Sequence, residues 1–386
     1  MATRGPSSEG WRGGASVRES PDKDILRLAR QDLVAMPGYA SVEPPEILAK
    51  RLGIPEERIV KLDGNENPYG SSIKVREALA SFPRYHIYPD PEQRRMREAI
   101  AEYVGADPDR IVVGNGSDEL LDLMGRLFLS PGDGVVNAPP TFGIYEFVAR
   151  TYGAQVVEVP RREDFALDLE PMEKALAAGA KLIFLASPNN PTGNTVAPEE
   201  LERLLAHDAV VVIDEAYAEF ADGSFLPLAA ERDNLIVTRT FSKWAGLAGL
   251  RAGYGVFPPA VAETIRKIKM PYNINVAAQA AVLASLGDKA ALTENVKLIV
   301  DERERMAERL AGFRWLRVYP SRANFLLCQV KGRSATEVQA KLRERGVLVR
   351  YFDSPGVRGC LRISVGRPQD TDRLVEALAE IGAAVV

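Results

Sequence analysis

Histidine and cysteine are scarce in this 386-residue chain, with two residues of each. Cys328 and Cys360 are too few for a disulfide framework or a cysteine-rich metal site. His86 and His207 are too few for a histidine-ligated zinc centre or a typical histidine-based catalytic triad. We therefore expect no metal ion, and any demanding chemistry must come from Lys, Asp, Tyr or Arg side chains or from a cofactor.

The chain also lacks a run of about eighteen apolar residues, so we expect no transmembrane helix. Its net charge of -4 argues against nucleic acid as the main partner. Hydrophobic residues make up 46% and charged residues 26%, which is typical of a globular protein, and the length is enough for two domains.

Residues 1–22 are rich in Gly, Ser and Arg and contain no apolar core, so they do not form a secretory signal. We predict a disordered extension over residues 1–25 and a cytoplasmic protein. A plastid transit peptide is the alternative, and Glu9 and Glu19 argue against it because such peptides contain few acidic residues.

Short runs rich in Val and Ile alternate with helical patterns from about residue 70 to residue 290. Such alternation predicts an α/β fold whose mainly parallel sheet has helices on both faces. We assign 70–290 to a large domain, 26–69 to an N-terminal arm and part of a small domain, and 291–386 to a small α+β domain. The strands predicted in the large domain are 111–113, 134–136, 155–159, 181–185, 209–213, 234–237 and 252–256. In the small domain we predict helices at 292–310, 335–345 and 370–381, and strands at 323–330, 347–350 and 361–365.

Lys243 lies in the segment Thr240–Arg251, among small hydroxyl-bearing and glycine residues directly after an apolar run. A lysine in that setting suits condensation with an aldehyde, while Thr240, Ser242 and Arg251 would hold a phosphate. The pattern predicts a Schiff-base lysine for pyridoxal 5'-phosphate (PLP). The alternative is a solvated charge on a loop.

Gly114–Asp118 follows one predicted strand and opens a helix. Glycine permits a tight turn, and the N–H groups at a helix N-terminus bind anions, so Gly116, Ser117 and Asp118 suit a phosphate cradle. The alternative is an ordinary turn in which Ser117 or Asp118 caps the helix. The spacing is not that of a dinucleotide-binding motif.

Asp214 ends the most apolar run of the chain, and Tyr217 follows three residues later. A buried carboxylate needs a cationic partner, and the protonated ring nitrogen of PLP is one. Tyr217 could then bind the phenolic oxygen of the ring. The alternative is that Asp214 caps the next helix.

Two further loops carry residues that could contact the PLP ring. Phe142 follows a strand and could stack on a planar cofactor, although a core aromatic is the plainer interpretation. Asn190, in the Pro- and Asn-rich loop Ser187–Gly193, could donate to a ring oxygen, and a surface turn is equally consistent with that composition.

Arg350 and Arg362 interrupt or end apolar strand patterns in the small domain. Arginines placed there suit an anionic group of a substrate. The alternative is a pair of strand arginines that face solvent.

Taken in order, these motifs resemble the fold-type I PLP-dependent aminotransferases, and most closely the histidinol-phosphate aminotransferases within that family. The resemblance runs from about residue 30 to the C-terminus. The stretches that distinguish it are Lys61–Gly70, Tyr88–Pro91, Ser187–Gly193 and Cys360–Gly366.

By this resemblance, the backbone amides of Ser117 and Asp118 hold the PLP phosphate together with side chains of the Lys243 segment. Phe142 takes the stacking position, where the family often has tyrosine. Asn190 and Tyr217 bind the ring oxygen, and Lys243 forms a Schiff base and moves protons in a ping-pong reaction.

The resemblance also assigns substrate contacts and an assembly. Tyr39 covers the substrate, Asn65 and Glu66 lie on the substrate-side loop, and Asn190 contacts the substrate as well as the cofactor. Arg350 and Arg362 serve anionic groups of histidinol phosphate and glutamate. The Tyr88 of the partner subunit reaches the phosphate site, which implies a homodimer with shared active sites.

Two kinds of alternative remain at this point. The same fold could act on aromatic amino acids or decarboxylate a phosphorylated amino acid, because the cofactor-binding residues would be identical. A PLP-binding regulatory module would need a DNA-binding domain, and the N-terminal sequence has no helix-turn-helix pattern.

Overall fold

The computed structural model describes residues 25–38 and 44–383. The chain divides into two units, Met1–Ala40 and Ser41–Val386. The first contains a 3-10 helix, Ile25–Leu28, and one short helix, α1 (Gln31–Val34). The predicted disordered extension lies outside the described residues except for Ile25, and Tyr39 also lies outside them.

A seven-stranded sheet dominates the second unit, with the order β2-β8-β7-β6-β5-β3-β4. Neighbouring strands from β7 to β4 run parallel, whereas β8 is antiparallel to both of its neighbours, β2 and β7. The sheet is therefore mainly parallel, as predicted, with one reversed strand. Its strands are β2 (Ile111–Gly114), β3 (Gly134–Asn137), β4 (Gln155–Glu158), β5 (Leu182–Ala186), β6 (Val210–Asp214), β7 (Leu235–Thr240) and β8 (Gly253–Val256).

Both faces of this sheet are buried in apolar cores. Successive residues of one strand enter different cores: Ile183 and Ile213 belong to one cluster, whereas Phe184 and Val212 belong to the other. Side chains alternate between the faces of a strand, so a continuous apolar run is what a sheet covered on both sides requires.

A second, five-stranded sheet has the order β1-β11-β12-β10-β9. Strand β1 comes from the N-terminal part of the unit and pairs in parallel with β11, so this sheet joins distant parts of the chain. The domain boundaries stay a prediction. The strands are β1 (Val60–Leu62), β9 (Leu316–Val318), β10 (Phe325–Val330), β11 (Val347–Phe352) and β12 (Cys360–Ser364).

Helices surround both sheets. They are α2 (Pro45–Leu52), α3 (Ile73–Ser81), α4 (Arg94–Val104), α5 (Ser117–Phe128), α6 (Ile144–Thr151), α7 (Leu169–Ala177), α8 (Pro198–Leu205), α9 (Leu226–Ala229), α10 (Pro259–Ile268), α11 (Val276–Leu286), α12 (Lys289–Ala311), α13 (Ala335–Glu344) and α14 (Pro368–Ala383). Short 3-10 turns lie at Glu56–Arg58, Pro108–Arg110, Ala218–Phe220 and Ala248–Leu250. No helix among the described residues has the length and apolar character needed to cross a membrane.

Candidate active site

The predicted motifs converge on one edge of the seven-stranded sheet. Strands β2, β3, β5, β6 and β7 all run in the same direction, so their carboxyl ends meet at that edge. The loops that follow them carry the glycine turn, Phe142, Asn190 and Lys243, and Asp214 is the last residue of β6. The carboxyl edge of such a sheet is the usual place for a ligand.

Lys243 is partly buried at this edge, and its Nζ donates to the carbonyl oxygen of Gly64 at 3.2 Å. The Nζ lies 5.9 Å from the ring centroid of Tyr217. Burial, followed by the positive charge of Arg362, lowers the pKa of Lys243 to about 8. A neutral, nucleophilic amine is therefore accessible close to neutral pH, unlike that of an exposed lysine.

Asp214 is 4% exposed at the end of β6. Its Oδ2 accepts a hydrogen bond from the Tyr145 hydroxyl at 2.9 Å, and its Oδ1 accepts one from the Ala216 N–H at 3.0 Å. Burial raises the pKa of Asp214 to about 6, although the Tyr145 hydrogen bond acts in the opposite direction. Because both donors are neutral, a cation such as a protonated ring nitrogen would stabilise the charged carboxylate.

The hydroxyl of Tyr217 accepts a hydrogen bond from Nδ2 of Asn65 at 3.0 Å. Its ring is 6% exposed and meets Phe325 edge-on, with the centroids 5.2 Å apart. Tyr217 is therefore held from the second sheet as well as from its own loop.

The glycine turn, Gly114–Asp118, and the Lys243 segment, Thr240–Arg251, meet at the start of α5. Arg251 Nη2 donates to the Asp118 carboxylate at 2.8 Å, and its Nη1 lies 3.5 Å from Ser242 Oγ. Thr240 Oγ1 donates to Ser242 Oγ at 2.9 Å. Hydroxyl groups, a guanidinium and the N–H groups of a helix start are the groups with which proteins bind anions.

Gly116 is the residue that makes this approach possible. It precedes α5 with a φ of +79°, and a Cβ at this position would lie 2.4 Å from Arg251 Nη2. The helix begins at Ser117, so neither Ser117 nor Asp118 is its N-cap. Glycine suits this backbone angle and leaves room for the Arg251 guanidinium where it lies.

The Phe142 and Asn190 loops are tied together through Asn189, which is 0% exposed. Asn189 Nδ2 donates to the Pro140 carbonyl oxygen at 3.0 Å, and its Oδ1 accepts from the Thr141 hydroxyl at 2.7 Å. Phe142 is partly buried and packs edge-on against Tyr145 at 5.7 Å. The hydrogen bonds of Asn189 therefore hold the Phe142 loop and the Asn190 loop together.

Arg362 connects the two sheets. Its Nη1 donates to Asn190 Oδ1 at 2.7 Å, and its guanidinium lies 5.5 Å from the Phe325 ring and 5.7 Å from the Phe352 ring. Arg350 lies directly opposite Arg362 in the β11–β12 pair. Side chains of opposite residues share a face of the sheet, so two positive charges are adjacent there.

Two other predicted residues are more exposed. Glu66 pairs with Lys61 at 2.6 Å, with 47% of its side chain exposed. Tyr88 is 78% exposed and stacks on Tyr272, with the ring centroids 4.6 Å apart.

Three buried residues of the site were not among the sequence predictions: Tyr145, Asn189 and Ser364. Asn189 and Ser364 lie within stretches that the sequence singles out, but a polar side chain gives no local sign of its partner. Ser364 Oγ donates to Asn65 Oδ1 at 2.8 Å, across 299 residues of chain.

An α/β fold with a partly buried lysine, a buried aspartate and anion-binding groups at the carboxyl edge of the sheet is typical of a class of cofactor-dependent enzymes. The family model "Aminotransferase class I and II" matches residues 57–378. The chain belongs to this family, and its fold is that of the fold-type I enzymes.

Similar proteins carry a more specific name. A histidinol-phosphate aminotransferase of Roseiflexus castenholzii is 51% identical over 366 residues, which cover 92% of this chain and 99% of that protein. A chloroplastic histidinol-phosphate aminotransferase of Nicotiana plumbaginifolia is 45% identical, with 90% of this chain and 85% of that protein covered. The crystal structure of histidinol-phosphate aminotransferase from Sinorhizobium meliloti with PLP has a TM-score of 0.82 and 29% identity, and covers 90% of this chain and 96% of that one.

Proposed function

We propose that this chain catalyses the PLP-dependent transfer of an amino group between L-histidinol phosphate and 2-oxoglutarate, a reaction of histidine biosynthesis. The observation that carries a phosphate-bearing substrate is the Arg350–Arg362 pair. Because they lie directly opposite each other on paired strands, their side chains share one face of the sheet, where two guanidinium groups suit a phosphate. The 51% identity to a histidinol-phosphate aminotransferase supports the same substrate.

The residues present fit PLP. Gly116 leaves a cradle that a Cβ would fill, and Asp214 is a buried carboxylate whose charge calls for a cation. Lys243 offers an amine with a pKa of about 8 between these two features. An aldehyde, a ring nitrogen and a phosphate on one small molecule would satisfy all three.

In this proposal, the phosphate and the ring are held by separate groups of residues. Asp214 holds the ring nitrogen, Asn190 and Tyr217 the ring oxygen, and Phe142 one ring face. The phosphate is held by Gly116, Ser117, Asp118, Thr240, Ser242 and Arg251, with Tyr88 of the partner subunit.

When bound, PLP supplies an electron sink for the bonds at the substrate's α-carbon. The Nζ of Lys243 would hold the cofactor through its aldehyde carbon. Once released, it would take a proton from the α-carbon and return it to that former aldehyde carbon, as general base and then general acid. The lowered pKa of Lys243 favours the neutral amine that this role requires. Asp214 keeps the proton on the ring nitrogen, and Tyr145 keeps the Asp214 carboxylate oriented.

Arg362 and Arg350 bind the substrate's phosphate in one half-reaction and a carboxylate of glutamate in the other. A guanidinium can bind either group bidentately. Tyr39 and Glu66 complete the substrate side in this proposal, and Asn65 lies beside Glu66 on the substrate-side loop.

The decisive experiment compares two substrates that differ only in the phosphate. PLP-loaded protein is mixed with L-histidinol phosphate or with L-histidinol, and the single half-reaction is followed by the cofactor's absorbance. We expect the phosphorylated amine to react at least about 100-fold more efficiently, because charge-assisted hydrogen bonds to a phosphate would be lost without it. In Arg362→Gln and Arg350→Gln this preference should narrow.

Phenylalanine serves as the control for the aromatic alternative. Equal reactivity of histidinol and its phosphate, or a preference for phenylalanine, would contradict the proposed substrate. Release of carbon dioxide from a phosphorylated amino acid would instead favour the decarboxylase alternative.

We further propose a homodimer that acts in the cytoplasm. Tyr85, Ile87, Tyr88 and Tyr272 line an open groove of about 330 Å³. Tyr88 is 78% exposed, and a large exposed aromatic cluster favours a protein contact. A second copy is the occupant proposed here, because the family resemblance places the Tyr88 of the partner subunit at the phosphate site. Localisation in a plastid is the alternative to the cytoplasm, since the Nicotiana relative is named chloroplastic.

A further inference from the structure

Asn65 has a hydrogen-bonding partner at each of its four polar groups. Its N–H donates to Ser364 Oγ at 2.8 Å, and its carbonyl oxygen accepts from Asn324 Nδ2 at 3.0 Å. Its Oδ1 accepts from Ser364 Oγ at 2.8 Å, and its Nδ2 donates to the Tyr217 hydroxyl at 3.0 Å. The residue is 1% exposed. These bonds join the loop after β1 to β12, to the approach to β10 and to Tyr217.

Hydrogen-bond chemistry fixes which way the Asn65 amide points. Ser364 Oγ accepts the Asn65 N–H and donates its own proton to the Asn65 side chain. The only side-chain atom of Asn65 that can accept that proton is Oδ1, which leaves Nδ2 facing Tyr217. Ser364 therefore acts as the orienting partner of the amide.

The backbone of Asn65 is in the left-handed region, with a φ of +51°. This conformation is unfavourable for most residues and is tolerated by asparagine. Asn324 and Ser364 hold the backbone groups on either side of it. Backbone conformations that are rare for non-glycine residues cluster at functional sites, and this angle agrees with a place for Asn65 in the site.

We infer that Asn65 is a positioning residue of the reaction, and that it directs the hydroxyl proton of Tyr217 toward the cofactor. A phenol oxygen that accepts the Asn65 N–H on one side must point its own proton to the other. This inference rests on the proposed place of Tyr217 at the ring oxygen of PLP. It gives Asn65 a role through Tyr217 and gives Ser364 a role in the site.

A spectroscopic consequence follows for the protein with PLP attached to Lys243. Negative charge on the ring oxygen stabilises a proton on the nitrogen that links Lys243 to PLP. Tyr217 disperses that charge when it donates to the ring oxygen, and so lowers the pH at which the linkage loses its proton. Without Asn65 or Ser364 the hydroxyl is no longer fixed, and the titration should move upward.

The experiment is a pH titration of the absorbance of the PLP-loaded protein. Asn65→Gly accepts the positive φ and removes the donor, and Ser364→Ala removes the orienting hydroxyl without adding charge. We expect both to raise the midpoint, on the order of one pH unit for Asn65→Gly. Ser364→Thr keeps a hydroxyl and should retain the wild-type midpoint. Thermal unfolding of each apoprotein shows separately whether the variant is folded.

Tyr217→Phe distinguishes two claims. The first is that Tyr217 contacts the ring oxygen, and the second is that Asn65 and Ser364 orient its hydroxyl. If Tyr217→Phe leaves the midpoint unchanged, the placement of Tyr217 at the ring oxygen is wrong. If Tyr217→Phe raises the midpoint while Asn65→Gly and Ser364→Ala do not, the positioning role is wrong and the contacts are structural. An unchanged midpoint with a raised KM for histidinol phosphate in Asn65→Gly would mark Asn65 as a substrate ligand instead.

Discussion

Burial shifts the pKa values of two residues at the sheet edge, Lys243 and Asp214. Lys243 has a lowered pKa and Asp214 a raised one, and burial is the largest cause of both shifts. Each shift favours the neutral form of the group in the unliganded protein. A cofactor that supplies an aldehyde to one residue and a cation to the other would exploit both.

The pKa of Lys243 predicts a pH profile for covalent attachment of PLP. Attachment, trapped by borohydride and measured by intact mass, should accelerate as pH rises through about 8, where the amine becomes neutral. An ordinary exposed lysine would respond near its usual pKa of about 10.4. Lys243→Ala should abolish the specific adduct. A profile that rises only near the pKa of an exposed lysine would contradict the buried amine.

Tyr145→Phe tests the hydrogen bond to Asp214. The variant should raise the pKa of Asp214 further above about 6, because a donor to the charged form is lost. The free energy of unfolding of the apoprotein should fall by about 1–3 kcal/mol near pH 8, where Asp214 is ionised, and by less near pH 5, where it is protonated. Urea unfolding at both pH values measures the difference.

Tyr152→Phe is the matched control, because Tyr152 donates to the carboxylate of Asp122 at 3.0 Å in a partly exposed pair. We expect little change in its unfolding free energy at either pH, since solvent replaces the lost partner. Equal effects in the two variants would show that burial of Asp214 does not matter.

At the scale of elements, the turn between β2 and α5 joins backbone geometry to anion binding. The turn brings the N-terminus of α5 to Arg251, and a Cβ built at Gly253 in β8 would lie 2.4 Å from the Ser117 nitrogen. Two glycines therefore permit two close approaches, one from each side of the cradle. Larger residues would separate the groups that bind the phosphate.

Gly116→Ala should weaken PLP binding by tenfold or more, on the order of one charge-assisted hydrogen bond, because the new Cβ displaces Arg251. Gly105→Ala is the control, since Gly105 ends α4 with a φ of +68° and has no heavy atom within 4 Å of a built Cβ. Both variants should lose roughly 1 kcal/mol of stability from backbone strain. Equilibrium dialysis with PLP distinguishes them, and equal affinities would contradict the cradle.

At the scale of the whole molecule, the proposed dimer predicts complementation between two defective chains. Lys243→Ala and Tyr88→Ala homodimers should each be impaired, one in chemistry and one in cofactor binding. Random mixing makes half of the dimers mixed, and each mixed dimer restores one of its two sites. About a quarter of wild-type activity should therefore return after subunit exchange.

Subunit exchange is checked by light scattering and by activity measured over time. Thermal unfolding should show that Tyr88→Ala folds normally as a single chain, because Tyr88 is 78% exposed. A monomeric wild type, or mixtures that never exceed the parent activities, would contradict the shared site.

The sequence alone was enough to predict the α/β fold and the mainly parallel large sheet. Residues 210–213 are all apolar because both sheet faces are covered, and this pattern is local. The strand predicted at 323–330 begins only at Phe325, and Asn324 just before it donates its side-chain amide to the Asn65 carbonyl. The roles given to Lys243 and its partners stay predictions, although their loops do meet at one edge.

The tertiary structure decided the contacts that orient the site. Tyr145 lies 69 residues from Asp214, and Ser364 lies 299 residues from Asn65, so no local pattern links either pair. The register of β11 and β12 likewise places Arg350 opposite Arg362. Sequence determines which residues are buried through short periodicities, whereas the partner of a buried polar group depends on how distant segments pack.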